Sequence, residues 1–219
     1  MSEMEKPSIS RRGFLKAASV TAASSLVESV HAVTQQMTES SQGPRTLGPG
    51  PVPIVLHVNG VPHSLSVEPR NTLAEALRDT LGLTGTKVVC DRGSCSACTV
   101  WIDKVPTLSC MTLAIDVGSR NITTIEGIAS GNRLHPLQVA FVKHDAMQCG
   151  FCTPGMVMSC VALLDRNPNP TLDDVKQAVS GNLCRCGTYP KVFAATLEAA
   201  QTHKSNSQIV SAGGEKGAS

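Results

Sequence analysis

Alternating apolar and polar residues predict a β-hairpin early in the chain. The runs Ile54–Val58 and His63–Val67 both alternate in the way a half-buried strand does. Asn59-Gly60 lies between them, and this dipeptide is typical of a two-residue hairpin turn because both residues accept a positive φ. Further strand-like runs follow at Thr99–Ile102 and Ile122–Ile125.

A capping pattern predicts one helix between the hairpin and the later strands. Thr72 is followed three residues on by Glu75, which is the spacing of a capping box, and Leu73–Arg78 continues with helix-forming residues. Gly82 is expected to end this helix.

Helical spacing replaces strand alternation after Gly127. Leu137–Val142 carries apolar residues at helical spacing and follows Pro136, a residue favoured at the first position of a helix. Three more helices are predicted, over Gly155–Leu164 with Thr153 as its cap, from Thr171 with Asp174 at the capping-box position, and over Val192–Ala200. Residues 129–203 are therefore expected to form a four-helix bundle.

The N-terminus has the composition of an export signal. Ser10–Lys16 reads S-R-R-G-F-L-K, a twin-arginine signature, and the mildly apolar run Ala17–Val30 follows it. Val30-His31-Ala32 resembles a small-residue cleavage site. Residues 1–32 are expected to be a twin-arginine signal peptide, which would take the protein to the periplasm already folded.

Two other segments and the overall charge bound the function. Residues 33–52, rich in Gln, Ser, Gly and Pro, are expected to be a flexible linker, and the polar residues 204–219 a disordered tail. The net charge is only +2 and no basic stripe is interleaved with aromatic residues, which argues against nucleic acid as a partner. No run approaches the roughly 20 apolar residues of a membrane helix, so no transmembrane segment is expected in the mature chain.

Eight of the nine cysteines form two blocks. The first block has the spacing C-x4-C-x2-C plus a later fourth cysteine, which is the plant-type ferredoxin pattern for a [2Fe–2S] cluster. The second block pairs C-x2-C with a distant C-x-C. In order, the blocks are Cys90, Cys95, Cys98 and Cys110, then Cys149, Cys152, Cys184 and Cys186. The hairpin, helix, cysteine loop and return strands together predict a β-grasp ferredoxin domain over residues 53–128, giving an α+β protein with a helical [2Fe–2S] domain after it.

Zinc is the competing interpretation of the second block, because C-x2-C is common in zinc sites. A Rieske-type centre would need two histidine ligands, and none of the six histidines lies beside a cysteine of either block. Cys160, inside the second predicted helix of the bundle, is expected to be a buried structural cysteine.

Three motifs carry a family resemblance over about residues 53–200. The chain resembles the iron–sulfur subunit of the xanthine oxidase (molybdenum hydroxylase) family, and within it the small subunits of periplasmic aldehyde oxidoreductases with a twin-arginine signal. Two departures are Ser96, where the family usually has glycine, and Gly187-Thr188, where the order Thr-Gly is more common. The motifs are Cys90-Asp91-Arg92-Gly93-Ser94-Cys95-Ser96-Ala97-Cys98-Thr99, Gln148-Cys149-Gly150-Phe151-Cys152-Thr153-Pro154-Gly155 and Gly181-Asn182-Leu183-Cys184-Arg185-Cys186-Gly187.

The resemblance implies the roles of these residues. The second cysteine block would hold the [2Fe–2S] cluster proximal to molybdenum and the first block the distal cluster, while Gln148 and Cys186 would lie against the pterin of the molybdenum cofactor. The molybdopterin would belong to a separate catalytic subunit that oxidises an aldehyde or an N-heterocycle. Electrons would pass one at a time through both clusters to a flavin subunit containing FAD or to a cytochrome, and this chain alone would turn over no substrate.

Two alternatives stay open at the level of the sequence. One is a metal-binding interaction module with one [2Fe–2S] cluster and one structural zinc, and the other is a free-standing exported ferredoxin. Metal content separates the first alternative from the relay, and isolation without a molybdenum partner would favour the second.

Overall fold

The computed structural model describes residues 47–212, with side chains described as far as residue 202. The predicted signal peptide and most of the predicted linker lie outside the described residues, as does the end of the predicted tail, 213–219. The part of that predicted tail that is described continues the last helix, which ends at Ala212. None of the helices in this part of the chain is both long enough and apolar enough to cross a membrane.

A mixed sheet with strand order β2-β1-β5-β3-β4 occupies the first part of the described chain. β1 pairs antiparallel with β2 and parallel with β5, and β3 pairs antiparallel with β4 and β5. The predicted hairpin is confirmed, because Asn59 and Gly60 turn between β1 and β2 with φ of 52° and 81°. The strands are β1 Val52–Val58, β2 Val61–Val67, β3 Thr99–Ile102, β4 Val105–Leu108 and β5 Asn121–Thr123.

The predicted capping box also forms. Thr72 Oγ1 accepts from the Glu75 amide at 3.2 Å, and Glu75 Oε2 accepts from the Thr72 amide at 2.7 Å. The helix that they start, α1, spans Leu73–Glu75 and continues as a π-helical turn over Ala76–Thr80. Its buried leucines pack against the apolar face of the sheet, which makes this helix the cover of the first core.

Strand β4 was not predicted, and β5 is shorter than the predicted run Ile122–Ile125. The turn before β4 is formed by Asp103 and Lys104, which adopt φ of 49° and 65° without glycine. Pro106 is tolerated because β4 is an edge strand. β5 ends at Thr123 because the chain then enters a 3-10 turn, Ile125–Gly127.

Four helices follow the sheet, and their facing sides form a second core. The capping box at Thr171 and Asp174 is confirmed, but the prediction of Thr153 as a cap is wrong. The helix begins at Thr153 itself, whose Oγ1 is buried without a hydrogen-bond partner. Cys160 is fully buried, as expected for a structural cysteine. The helices are α2 Pro136–Lys143, α3 Thr153–Arg166, α4 Leu172–Ala178 and α5 Tyr189–Ala212.

The sheet and the helices share a buried junction. Trp101 lies on β3, but its side chain belongs to the core of the helices. Its indole Nε1 donates to the carbonyl oxygen of Met158 on α3 at 3.0 Å. This bond satisfies the polar atom of the chain's single tryptophan in an apolar setting and ties the two halves together.

Candidate metal centres

The first cysteine block lies in the loop before β3 and in the turn after β4. The loop curls tightly because Asp91, Gly93 and Ser96 all have positive φ, of 52°, 72° and 54°. A Cβ on Gly93 would lie 3.0 Å from the side chain of Met111, so a left-handed backbone and close packing both favour glycine there. The result is a loop in which small residues let main-chain N–H groups approach sulfur atoms.

Main-chain amides stabilise the thiolate of Cys90, the most exposed cysteine of this block. Hydrogen bonds from the amides of Arg92, Ser94 and Cys95 lower the pKa of Cys90 to about 7, against a smaller opposing effect of burial. The Ser94 nitrogen lies 3.3 Å from Cys90 Sγ. Burial instead raises the pKa of Cys110 to about 11, helped by the adjacent Cys98 thiol. A buried thiol of this kind needs a bound metal to stay deprotonated at neutral pH.

The second cysteine block joins two loops of the helical region. Cys149 and Cys152 precede α3, and Cys184 and Cys186 precede α5. Burial, followed by the neighbouring Cys184, raises the pKa of Cys152 to about 12. Burial also acts to raise the pKa of Cys184, but hydrogen bonds from the hydroxyl and amide of Thr188 outweigh it and lower this pKa to about 7.

Hydrogen-bonding contacts group the eight thiols into four pairs, and electrostatic interactions also join the two pairs within each block. In the first block Cys90 lies against Cys95, and Cys98 against Cys110. In the second block the pairs are Cys149 with Cys186 and Cys152 with Cys184. Within residues 47–212, no three or more Cys, His, Asp or Glu side chains are grouped as a single ion requires.

This pairing tests which metal the donors fit. A structural zinc ion takes four ligands in one tetrahedron. A [2Fe–2S] cluster takes two thiolates on each of two irons. The two thiol pairs of each block interact with each other, and together they supply the two thiolates for each of two irons that a [2Fe–2S] cluster needs.

The two cysteine blocks are hydrogen-bonded to each other. The amide of Leu183 donates to the carbonyl oxygen of Cys95 at 3.0 Å. The side-chain Nδ2 of the buried Asn182 donates to the carbonyl oxygen of Ser96 at 3.2 Å. Gly155 faces the same carbonyl so closely that a Cβ there would lie 2.3 Å from it. The loops holding the two sets of thiols are therefore in direct contact.

Gln148 and Cys186 meet in one cleft. This cleft has a volume of about 590 Å³ and is also lined by the exposed Met147 and by the edge of the buried Thr188. The ion pair between Lys191 Nζ and Asp145 Oδ2, at 2.5 Å, lies at its edge. Gln148 and Cys186, which are predicted to contact a cofactor of a partner subunit, therefore line the same cleft, and the Cys186 thiol is exposed.

Sequence reasoning missed the roles of two residues beside the second block. Tyr189 Oη accepts from the Cys184 amide at 2.8 Å and donates to the Asn182 carbonyl oxygen at 2.9 Å. Thr188 Oγ1 lies 3.3 Å from Cys184 Sγ. The sequence offers a hint in Tyr189, the chain's single tyrosine, which stands three residues after Cys186.

Comparisons with known proteins decide the family. A model described as "2Fe-2S iron-sulfur cluster binding domain" matches residues 56–114, and one described as "[2Fe-2S] binding domain" matches residues 124–197. The aldehyde oxidoreductase iron-sulfur-binding subunit PaoA of Escherichia coli K12 is 38% identical over 213 residues, covering 90% of this chain and 91% of that protein. The chain belongs to the iron–sulfur-binding subunits of the xanthine oxidase family.

Other proteins match the part of the chain that holds both cysteine blocks. The nicotine 6-hydroxylase small subunit of Paenarthrobacter nicotinovorans is 47% identical over 148 residues, covering 68% of this chain and 89% of that one. A chain of quinoline 2-oxidoreductase from Pseudomonas putida 86 superposes with a TM-score of 0.65 at 44% identity, covering 69% of this chain and 97% of that one. In aldehyde oxidoreductase from Desulfovibrio gigas the match covers 71% of this chain but 17% of that one, with a TM-score of 0.67 at 40% identity. The same fold thus also occurs as one part of a longer polypeptide.

The family departure at Ser96 gives a prediction. A non-glycine residue in the left-handed region costs about 1–2 kcal/mol, while glycine costs about 0.5–1 kcal/mol more entropy on folding. We therefore expect Ser96→Gly to raise the free energy of unfolding by about 0.5–1 kcal/mol, which is a rise of about 1–4 °C in the thermal midpoint. Circular dichroism melting measures it.

A second left-handed residue serves as the control for Ser96. Asn59, with φ of 52°, bonds Thr124 twice, through Oδ1 at 2.9 Å and Nδ2 at 3.0 Å. Asn59→Gly should therefore lower the thermal midpoint. An equal fall of the thermal midpoint in Ser96→Gly and Asn59→Gly would show that backbone strain does not dominate at Ser96.

Proposed function

We propose that this chain is a two-cluster electron relay within a molybdenum-dependent oxidoreductase. The observation that carries the proposal is the direct hydrogen bonding between the cysteine loop before β3 and the loop before α5, which hold thiols of the first and the second block. A [2Fe–2S] cluster in each block would supply one-electron chemistry, which splits a two-electron oxidation into single steps. Family membership favours this relay over a zinc-containing module or a free-standing ferredoxin.

The thiol pairs supply the ligand assignment that we propose. Cys90 with Cys95 and Cys98 with Cys110 would hold the two irons of the distal cluster. Cys149 with Cys186 and Cys152 with Cys184 would hold those of the proximal cluster. The assignment rests on the contacts between thiols within each pair and on the need of each iron for two thiolates.

A short backbone route joins the two sets of ligands. Cys95 belongs to the first set, and its carbonyl oxygen accepts from the amide of Leu183 at 3.0 Å. Leu183 is bonded directly to Cys184, a member of the second set. One peptide hydrogen bond therefore connects a distal ligand to the neighbour of a proximal ligand, without any side chain between them.

Each block also has an open face with large apolar side chains. Val89 and Met111 adjoin Cys90 and Cys110, and they are 57% and 63% exposed. At the second block Phe151, next to Cys152, and Leu183 are 58% and 57% exposed. Exposed apolar side chains around a site mark a surface for a partner. Two such faces suit a relay that receives electrons from one protein and passes them to another.

The partners follow from the family. We propose that a molybdopterin-binding catalytic subunit covers the second block, with Gln148 and Cys186 of the cleft against the pterin. The acceptor, a flavin subunit with FAD or a cytochrome, would cover the first block. Substrate contacts would lie in the catalytic subunit, and the names of the relatives suggest an aldehyde or an N-heterocycle as substrate.

The domain arrangement and location complete the proposal. Residues 53–128 would be a β-grasp domain of the plant-type ferredoxin kind and residues 129–203 a four-helix bundle, in agreement with the strand order and the four helices. The twin-arginine signature Ser10–Lys16 supports a signal peptide over residues 1–32 and a periplasmic location reached by that route.

Metal analysis tests the proposal. Full-length chain purified anaerobically with its co-expressed partner is expected to contain about four irons and about four acid-labile sulfides, because each [2Fe–2S] cluster has two of each. Two distinct electron paramagnetic resonance signals should appear on reduction with dithionite. About two irons with one zinc would instead support the interaction module.

A further inference from the structure

The hydroxyl of Thr188 is turned toward a cysteine sulfur instead of toward the helix that it precedes. Its carbonyl oxygen accepts from the amides of Lys191 at 3.0 Å and Val192 at 3.1 Å, in the first turn of α5. A threonine in this position ordinarily accepts an amide hydrogen with its hydroxyl as well. Here Oγ1 lies 3.3 Å from Cys184 Sγ. Thr188 is only 8% exposed, so little water competes for the hydroxyl.

The surroundings hold this contact in place. The amide of Cys184 donates to Tyr189 Oη at 2.8 Å, and Tyr189 Oη donates to the Asn182 carbonyl oxygen at 2.9 Å. These bonds fix the backbone of Cys184 relative to Thr188. A metal-bound thiolate carries no proton, so in the loaded protein Thr188 must be the donor and Cys184 Sγ the acceptor.

We propose that Thr188 is a positioning residue that raises the reduction potential of the proximal cluster through its hydrogen bond to Cys184 Sγ, an inference that rests on the proposed function. Reduction adds negative charge to the cluster, and hydrogen bonds to its sulfur atoms stabilise the more negative state. The distal ligand Cys90 is bonded by main-chain amides, including that of Ser94 at 3.3 Å, and by no hydroxyl within the part of the chain that the structure describes. The Thr188 hydroxyl therefore contributes to the difference in potential between the two clusters.

The experiment is a redox titration of the full-length chain with its co-expressed partner, followed by electron paramagnetic resonance. Thr188→Val keeps the shape and the backbone amides but removes the hydroxyl. We expect it to lower the equilibrium constant for reduction of the proximal cluster about tenfold, which is about 59 mV for a one-electron couple. The distal potential should not change, and Thr188→Ser should restore most of the wild-type value.

Thr196 provides the matched control. It is fully buried on α5, the helix that Thr188 precedes, and its Oγ1 donates to the Val192 carbonyl oxygen at 2.8 Å. Thr196→Val should leave both potentials unchanged, so a shift that appears in both variants would overturn the inference. Loss of the distal signal in Cys90→Ala identifies which signal belongs to which cluster.

The remaining outcomes separate the inference from the proposed function. Four irons with a proximal potential that is the same in Thr188→Val and wild type would overturn the inference alone. Two irons with one zinc would overturn both. A proximal shift confined to Thr188→Val, with melting temperature matching that of Thr196→Val, supports the hydrogen bond as the cause.

Discussion

Replacing Cys90 by alanine is expected to remove one of two clusters and to stop electron delivery to the external acceptor. Iron content should fall from about four to about two per chain, since a cluster that loses one of its four thiolates is not retained. Cys90 is a suitable target because it is partly exposed, so the substitution leaves no large buried cavity. Molybdenum in the proposed partner subunit should still be reduced by substrate. Turnover with the acceptor should fall at least about 100-fold, because loss of a residue that only supports a metal ligand already costs up to about 100-fold.

Cys160→Ala is the matched control for this experiment. Cys160 is the one cysteine that belongs to neither block, and it is fully buried within α3. This variant should keep all the iron and lose only stability, through a small cavity. Undiminished acceptor turnover in Cys90→Ala would show that electrons leave from the other cluster and would refute the proposed order.

Gly155→Val is expected to disrupt the packing of α3 against the cysteine loop before β3. The new Cβ would lie 2.3 Å from the carbonyl oxygen of Ser96 and 3.1 Å from Ala97 Cα, and both are backbone atoms. The carbonyl cannot move freely, because it accepts from Thr99 Oγ1 at 2.8 Å and from Asn182 Nδ2 at 3.2 Å. We expect a loss of about 3 kcal/mol in the free energy of unfolding, or about 6–12 °C in the thermal midpoint.

Gly50→Val provides the comparison, since a Cβ at Gly50 meets no atom within 4 Å. Its thermal midpoint should stay within about 1 °C of wild type, as for most surface changes. Helix propensity cannot rescue position 155, because replacing glycine by a better helix former gains at most about 1 kcal/mol. Equal midpoints for the two variants would mean that the contact between the halves contributes little to stability.

Elements that are determined by residues adjacent in the sequence could be predicted. Asn59-Gly60 supplies two positive φ angles within the dipeptide itself, and both capping boxes are complete within four residues. The cysteine spacings indicate the same two groups of thiols that interact in the structure. Strand β4 was not predicted for two reasons. Its turn, Asp103-Lys104, has positive φ without glycine, and Pro106 argues against a strand unless that strand lies at the edge of a sheet.

Features that depend on contacts between segments far apart in the sequence could not be predicted. Gly155 faces Ser96 and Leu183 bonds Cys95 only because the helices pack on the cysteine loop of the sheet domain. The pairing in the second block is also hidden, because Cys149 meets the last cysteine of the block, Cys186. Thr153 was expected to cap a helix because its type favours that role, but the helix begins one residue earlier than the cap requires.

The exposure of one thiol pair has a consequence for biosynthesis. Cys149 and Cys186 are the two exposed cysteines of the described chain, and their side chains interact. In an oxidising compartment, neighbouring thiols of this kind join in a disulfide. If the chain is exported as proposed, a copy that left the cytoplasm without iron would have this pair oxidised and could no longer bind a cluster through it. The proposed export route therefore requires that the second cluster be inserted in the cytoplasm, before transport.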